Sequence, residues 1–258
     1  MIGLLLRKFL YDMWDNLFMI VLLNFGFLLF LSLAFLLPLL LPAAEIVLLV
    51  IMIYWLFVYV CAATAALGKV SDYRRLTLVD FAVSLKGAFI PALVLFAAAV
   101  FIFFIMWFTI PFYFRMGGMF GLAGAFFSFW LCVFFLGALQ FYPAVYYRLG
   151  MRPMKSLKKC IVIFFDNTGF CVSSLIINII LTAMIIPFPC LPFLYLDEGL
   201  RLRIFKYDWL DAHAAEQDNT RYQQGWRKIK IPWAELLEEE KEMTGKRTWK
   251  SFIFPWKD

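Results

Sequence analysis

Apolar residues occur along this chain in long unbroken runs, not at alternating positions. Five runs consist almost entirely of apolar residues, at about residues 17–41, 46–67, 88–112, 119–145 and 168–196. About 20 consecutive apolar residues suffice for a helix to cross a bilayer, whereas barrel strands alternate apolar and polar positions. The pattern therefore predicts an all-α, polytopic transmembrane helical bundle with five main spans.

The last apolar run is the least regular of the five. Its 29 residues are more than one span needs and fewer than two need, and its second half contains Pro187, Pro189 and Pro192. Proline lacks a backbone donor and interrupts helices. Either one kinked span or a span followed by a short re-entrant piece fits this run, and residues 197–258 are predicted to form a polar C-terminal tail.

Two amphipathic segments follow basic loops between the spans. In the first, at about residues 77–86, Thr77 and Asp80 have the spacing of a capping box; the second begins near Pro153. Both place apolar residues on one helical face, which predicts two interfacial helices. Basic side chains suit anionic lipid headgroups. The candidate headgroup or partner contacts are Arg74, Arg75, Lys86, Arg152, Lys155, Lys158 and Lys159.

The order of these elements occurs twice in the chain. A span, a basic loop, an amphipathic helix and a second span form one unit, and the same order recurs at an offset of about 81 residues. Residue identity between the units is weak, so the repeat is defined by pattern alone. Because each unit contributes two spans, the predicted two-unit repeat is parallel, not inverted.

Lysine and arginine are unevenly divided between the two sides of the predicted bundle. The loops at residues 68–87 and 146–159 contain nine of them, whereas the turns at residues 42–45 and 113–118 contain only Arg115. Basic residues accumulate on the cytoplasmic side of membrane proteins. The N-terminus and both basic loops are therefore predicted to be cytoplasmic, in a multi-pass protein of the cytoplasmic (inner) membrane.

Two observations bear on the side of the membrane on which the C-terminal tail lies. Five complete spans would place it outside, whereas Arg201, Arg203 and Lys206 follow the last run closely and favour the cytoplasm. A segment at residues 187–196 that turned back would reconcile the two observations. A cytoplasmic tail is the favoured interpretation.

Composition and charge support a membrane protein. Hydrophobic residues make up 64% of the chain and charged residues 16%, with a mean hydropathy of +0.83, whereas soluble domains are closer to half apolar. The net charge of +6 does not indicate nucleic acid as a partner, because the basic residues flank spans and no nucleic-acid motif accompanies them. The five cysteines form no CxxC pair and are predicted to be small buried apolar residues.

Few polar residues lie inside the predicted spans. No ionisable residue is predicted deep in a span, which argues against an ion-coupled pump, since burying a charge in lipid costs at least about 2.5 kcal/mol. Asn24 and Asn178 are the candidate intramembrane polar positions, with hydrogen bonding between helices as the simpler interpretation. Gly117, Gly121 and Gly124 are candidates for close helix packing, because small residues let backbones approach.

No motif of a catalytic or cofactor-binding class occurs in the sequence. The patterns GxSxG, HExxH, Walker A and GxGxxG are missing. The single histidine, His213, has no cysteine, histidine or paired acids at ligand spacing. The sequence therefore predicts a protein that is not an enzyme, with no cofactor and no metal site.

Three short segments carry a resemblance to a known family. They are residues 62–67 (AATAAL), residues 80–89 (DFAVSLKGAF), and the pair 142–143 (YP) with 155–159 (KSLKK). In these segments, and in the order of elements over about residues 10–196, the chain resembles the YesL family, also called DUF624. The resemblance implies a small integral membrane protein, often encoded near carbohydrate ABC transporters, and it supplies no catalytic residues.

Two functions are compatible with these features. The first is a non-enzymatic accessory or scaffold component of a membrane complex, whose partners would be membrane lipids, ABC-transporter subunits or a second copy of the chain. The alternative is a transporter or channel for a neutral or lipid-like solute. The alternative predicts a polar path that includes Asn24 or Asn178.

Overall fold

The computed structural model describes residues 2–184, 190–212 and 231–245, and all regular structure within these ranges is helical. In chain order the helices are α1 (Ile2–Asp15), α2 (Leu17–Leu40), α3 (Glu45–Ser71), α4 (Leu78–Phe104), α5 (Ile110–Met116), α6 (Gly118–Leu139), α7 (Tyr142–Leu149), α8 (Pro153–Asp166), α9 (Thr168–Met184), α10 (Leu191–Ala212), α11 (Trp233–Leu236) and α12 (Glu238–Gly245). Pro187, Pro189, His213 and residues 246–258 lie outside the described residues.

Four helical segments in the described part of the chain are long and apolar enough to cross a membrane. They are Leu17–Leu40, Glu45–Ser71, Leu78–Met116 and Gly118–Leu149, and the bent pair formed by α8 and α9 is a fifth candidate. Large apolar side chains such as Phe18, Met119 and Phe126 are exposed on their outer faces. Such surfaces are stable against lipid, and the predicted all-α membrane bundle is confirmed.

The first amphipathic segment is helical but is not a separate helix. Thr77 accepts a hydrogen bond from the backbone of Asp80, and the Asp80 side chain accepts one from the backbone of Thr77, so the predicted capping box is present. The helix then passes residues 86–87 without a break and continues as α4 to Phe104. A single Gly87 costs a helix only about 1 kcal/mol relative to Ala, which the long apolar run that follows outweighs.

The second amphipathic segment forms a separate helix, α8, which meets α9 at a bend of 104°. The two units of the predicted repeat therefore share their order of elements but join their last two elements differently. Two large apolar side chains of α8, Met154 and Phe165, are exposed. The residues that α8 buries are Ser156, Cys160, Ile163 and Phe164. The ring of Phe164 occupies the space beside Gly137 of α6, where an added Cβ would come within 2.7 Å of it.

The predicted fifth span, residues 168–196, is divided between two antiparallel helices, α9 and the start of α10. Asp166, just before α9, forms an ion pair of 2.5 Å with Lys206 and accepts a hydrogen bond of 2.8 Å from Tyr207, both late in α10. Cys190, just before α10, instead contacts Asn24 inside α2. The chain therefore enters the bundle along α9 and returns along α10.

The predicted boundary of the polar tail falls inside a buried part of α10. Leu194, Tyr195, Asp197 and Glu198 are among the least exposed side chains of the described residues. Residues 191–212 thus belong to the helical bundle. This packing explains how a helix that carries several charged residues remains part of the core.

Candidate functional site

A partly open apolar cavity lies between α3, α4, α6, α7, α9 and α10. Its volume is about 460 Å³, within the range of small-molecule sites in proteins. Of the eighteen described residues that line it, fifteen are apolar. The three polar residues of the lining are Thr64, Gln140 and Asn178. The cavity therefore offers a large apolar volume with few hydrogen-bonding groups.

The directions of the two amide side chains in the lining follow from their partners. The Nε2 atom of Gln140 donates to the carbonyl oxygens of Gly137, at 3.0 Å, and Cys171, at 2.8 Å. Its Oε1 atom must then accept, and the Nδ2 atom of Asn178 donates to it over 3.2 Å. The Oδ1 atom of Asn178 is buried and has no hydrogen-bond partner within the described residues.

The cavity reaches the outer surface of the bundle beside an irregularity in the third span. Phe103 and Met106 both line the cavity, yet 57% and 53% of their surfaces are exposed. Met106 belongs to a π-helical turn, Ile105–Thr109, which interrupts the span between α4 and α5. Such turns are rare and occur frequently at functional sites. Phe103 and Met106 therefore form an exposed apolar rim of the cavity on the outer surface of the third span.

The structure places only one of the two predicted intramembrane amides at this cavity. Asn24 does not line it; its Oδ1 atom accepts a hydrogen bond of 2.7 Å from the backbone of Cys190 and joins α2 to the start of α10. Asn178 does line it. Gln140, the partner of Asn178, is one of the polar residues inside the predicted spans, but the sequence favours Asn24 and Asn178 over it as candidate positions. Its proximity to α9 depends on the bend after α8.

A cluster of ion pairs lies at the end of the bundle that carries the basic loops. Arg148, at the end of α7, forms two bonds to the carboxylate of Asp197 in α10, of 2.8 and 2.5 Å. It also contacts Asp72, after α3, at 3.1 Å, and Ser71 donates to Asp197. The ends of α3 and α7 and the first half of α10 therefore meet on one side of the bundle.

A second set of contacts attaches α12 to the same end. Arg201 of α10 forms an ion pair of 2.7 Å with Glu240, and the hydroxyl of Tyr73 donates to Glu240 over 2.6 Å. The guanidinium of Arg201 also lies 5.1 Å from the centre of the Tyr73 ring. The loop after α3 is thus held between α10 and α12.

Three ionisable residues are buried together between α1 and α10. Lys8 is 1% exposed and forms an ion pair with Asp12, and Glu198 is fully buried beside them. Burial raises the pKa of the Glu198 carboxyl well above its ordinary value; the negative charge of Asp12 adds to the rise and the positive charge of Lys8 opposes it. The sequence pattern does not reveal this cluster, because Glu198 falls in the segment that is predicted to be a polar tail. The i,i+4 spacing of Lys8 and Asp12 was the available signal.

The structure distributes the predicted headgroup contacts over three surfaces. Arg74 and Arg75 are exposed and line a cleft against α1. Lys86 is exposed on α4, which lies apart from that cleft. The remaining four candidates lie at α8: Arg152, Lys155 and Lys158 are exposed, and the ammonium of Lys159 lies 5.5 Å from the centre of the Tyr207 ring.

The three candidate packing glycines have two different surroundings. An added Cβ would lie 2.6 Å from the backbone oxygen of Tyr113 at Gly121 and 2.5 Å from the Tyr113 ring at Gly124, so both allow α6 to approach α5 closely. Gly117 instead forms the turn between these helices. Its φ of 67° is a conformation that glycine adopts without a side-chain clash, and nothing lies near its missing Cβ.

All five cysteines are buried and unpaired, as predicted. No group of three His, Cys, Asp or Glu residues within the described ranges is arranged to hold a metal ion.

What the described residues define is a helical membrane bundle with an internal apolar cavity. No family model, no curated protein and no solved structure matches the chain. The resemblance to the YesL family therefore stays a prediction.

Proposed function

We propose that this chain is a non-enzymatic, multi-pass membrane protein that binds a lipid-like molecule in its internal cavity. The observation that carries the proposal is the cavity of about 460 Å³, which is lined almost entirely by apolar side chains and has a rim at the lipid-facing surface. Apolar pockets of this size with a few placed polar groups are typical of sites for small hydrophobic ligands.

The polar groups of the lining favour a molecule with one small polar end. Thr64 donates to the backbone of Val60, and the amide of Gln140 is fully paired. A solute with many hydroxyl groups would find too few partners here, and each unpaired buried group costs about 1–3 kcal/mol. The Oδ1 atom of Asn178 is buried and lacks a donor among the described residues, and we propose that a fatty alcohol or a similar lipid hydroxyl donates to it once the surrounding side chains move aside.

The accessory role rests on different support. The family resemblance alone supports the proposal of a scaffold within a membrane complex, linked to carbohydrate ABC transport. The distribution of basic residues supports a cytoplasmic N-terminus, and a location in the cytoplasmic membrane is proposed with it. Neither depends on the cavity. Ligand binding and an accessory role are compatible, and transport of the bound molecule is a further step that ligand binding permits.

A cavity-filling substitution tests the proposal. Ala99 of α4 lines the cavity, whereas Ala97 is exposed on the outside of the same helix. Ala99→Phe would fill the cavity, and Ala97→Phe adds the same side chain to the lipid-facing surface. The two variants and the unaltered protein are purified in mild detergent and examined by native mass spectrometry for retained lipid-like molecules.

The unaltered protein and Ala97→Phe are expected to retain a bound molecule, and Ala99→Phe is expected to lose it. Thermal unfolding in the same detergent checks that both variants are folded. Binding in the cavity is ruled out if the unaltered protein carries no ligand when fatty alcohol is supplied, or if Ala99→Phe retains as much as Ala97→Phe.

A further inference from the structure

We propose that a cleft between α1 and the loop after α3 is a specific binding site for the headgroup phosphate of an anionic phospholipid. The cleft has a volume of about 610 Å³, and its lining includes Trp14, Asn16, Arg74, Arg75 and Thr244. It is separate from the internal cavity, and the two share no lining residue. The proposal is therefore independent of the proposed function.

The two arginines of the cleft differ from those deeper in the same end of the bundle. Arg148 and Arg201 are held by carboxylates. Arg74 and Arg75 line one cleft and form no side-chain hydrogen bond or ion pair within the described residues. Two adjacent guanidinium groups without protein partners are suited to an external anion, because each can donate two parallel hydrogen bonds to phosphate.

The backbone that carries these arginines is held in place on both sides. The backbone of Arg74 donates to the carbonyl of Lys69 over 2.8 Å, and that of Leu76 donates to the side chain of Asn16, before α2, over 3.5 Å. Between them, the ring of Tyr73 lies 4.1 Å from the ammonium of Lys8. A site on a fixed loop pays little ordering entropy when its ligand binds.

The charges around the cleft leave an excess of positive charge. Among the described residues that line it, the acidic side chains are Asp12 and Asp15, and the basic ones are Lys8, Arg74 and Arg75. Asp12 is already paired with Lys8. The charges that remain are the two guanidinium groups, both positive, and the carboxylate of Asp15. This excess of positive charge favours a ligand with a negative charge.

The position of α1 favours a lipid over a soluble phosphate compound. Leu6, Leu10 and Trp14 are all exposed and lie at i, i+4 and i+8, so they form one apolar stripe along α1. A helix with such a stripe lies at the bilayer interface, and tryptophan is enriched at headgroup level. Because Trp14 also lines the cleft, the cleft opens at the depth of the phosphates.

A pair of charge-matched variants tests the proposal. Arg74→Gln/Arg75→Gln removes two positive charges from the cleft, and Lys155→Gln/Lys158→Gln removes two from the exposed face of α8. Each full-length variant is placed in nanodiscs that contain phosphatidylcholine with a titrated fraction of phosphatidylglycerol. Native mass spectrometry then gives the affinity for the anionic lipid.

The cleft variant is expected to lose at least about tenfold in affinity for phosphatidylglycerol, equivalent to about 1.4 kcal/mol, and the α8 variant less than twofold. Arg74→Lys/Arg75→Lys keeps the positive charges but not the forked shape of the guanidinium, so an intermediate loss of affinity is expected. This lysine variant still tests the site if the glutamine variant does not fold. Equal losses in the cleft and α8 variants would show diffuse attraction and overturn the site. Displacement of the lipid by an equal concentration of inorganic phosphate would overturn its assignment to lipid.

Discussion

Asn178 of α9 and Gln140 at the end of α6 are joined by a hydrogen bond of 3.2 Å between Nδ2 and Oε1. The bond fixes both amides, because Nε2 of Gln140 is already committed to two carbonyl oxygens. As a result Oδ1 of Asn178 lacks a donor among the described residues. This pair connects the packing of two helices to the chemistry of the ligand that the cavity is proposed to hold.

Replacing Asn178 with leucine is expected to alter ligand preference more than stability. The lost interhelical hydrogen bond is worth about 0.6 kcal/mol on average in membrane proteins, so the unfolding temperature should change little. Without Oδ1, a fatty alcohol loses its acceptor, while an alkane of equal length loses nothing. Competition between the two ligands, measured by native mass spectrometry, should show a smaller preference for the alcohol in Asn178→Leu.

Asn24→Leu provides the control for this change. It also removes an amide from a span, and it leaves the backbone donor of Cys190 without its acceptor, but Asn24 does not line the cavity. It should lower the unfolding temperature and leave the preference for alcohol over alkane intact. If Asn24→Leu changed this preference as much as Asn178→Leu, the contact between the ligand and Asn178 would be wrong.

Arg148→Ala is expected to destabilise the protein strongly. It leaves the buried carboxylate of Asp197 without its main counter-charge, and breaking a buried ion pair in this way costs about 3–5 kcal/mol. Thermal unfolding in detergent measures the effect. Arg152→Ala, which removes an exposed arginine near the start of α8, should leave the unfolding temperature unchanged. The double variant Arg148→Met/Asp197→Leu should recover part of the loss, since it removes both charges.

The sequence predicts the spans of this protein well and its polar cluster poorly. Continuous apolar runs define α2, α3 and the long helices after them, because lipid leaves few alternatives to helix. The burial of Lys8 and Asp197 is not predicted from the sequence, because each residue lies in a segment whose charged residues indicate an exposed surface. Their burial requires α10 to return along α9, and that path depends on contacts such as Tyr207 with Asp166, which are remote in sequence. The cavity, which α9 and α10 both line, depends on the same packing of α10 along α9.

Glu198 is expected to make the stability of the protein depend on pH. Burial raises the pKa of its carboxyl in the folded protein above the unfolded value of about 4.5, and the pKa of Asp12 is raised too, also by burial, with Lys8 opposing. The folded state then holds a proton that the unfolded state releases. This contribution to stability is complete below the unfolded pKa and is lost as the pH rises through the folded pKa.

Glu198→Gln should flatten this dependence. The glutamine keeps the shape of the side chain and cannot ionise. As the pH rises above the ordinary glutamate pKa, the unfolding temperature of the variant should therefore fall less than that of the unaltered protein. The charged groups that face Glu198 are Lys8, Asp12 and Asp197, and Asp12 should leave a small residual slope. Parallel curves for the two proteins over the neutral range would contradict the raised pKa of Glu198.

Cysteine labelling tests the return of the chain along α10. The native cysteines are all buried, which gives a low background. Asp208→Cys, on the exposed side of α10, should have the same accessibility as Arg74→Cys in the basic loop, whereas Met119→Cys should be labelled from the opposite side. With the predicted cytoplasmic orientation, an impermeant reagent should label only Met119→Cys in intact cells. Labelling of both Asp208→Cys and Met119→Cys in intact cells would contradict the antiparallel arrangement of α9 and α10.

The most direct test of ligand binding in the cavity is photocrosslinking with a fatty alcohol that carries a diazirine at the end of its chain. Labelled positions are mapped by mass spectrometry of peptides. Labels are expected on cavity residues such as Ile102 and Leu175, and they should disappear in Ala99→Phe but persist in Ala97→Phe. Labels confined to outward residues such as Phe126, with no difference between the two variants, would contradict the account.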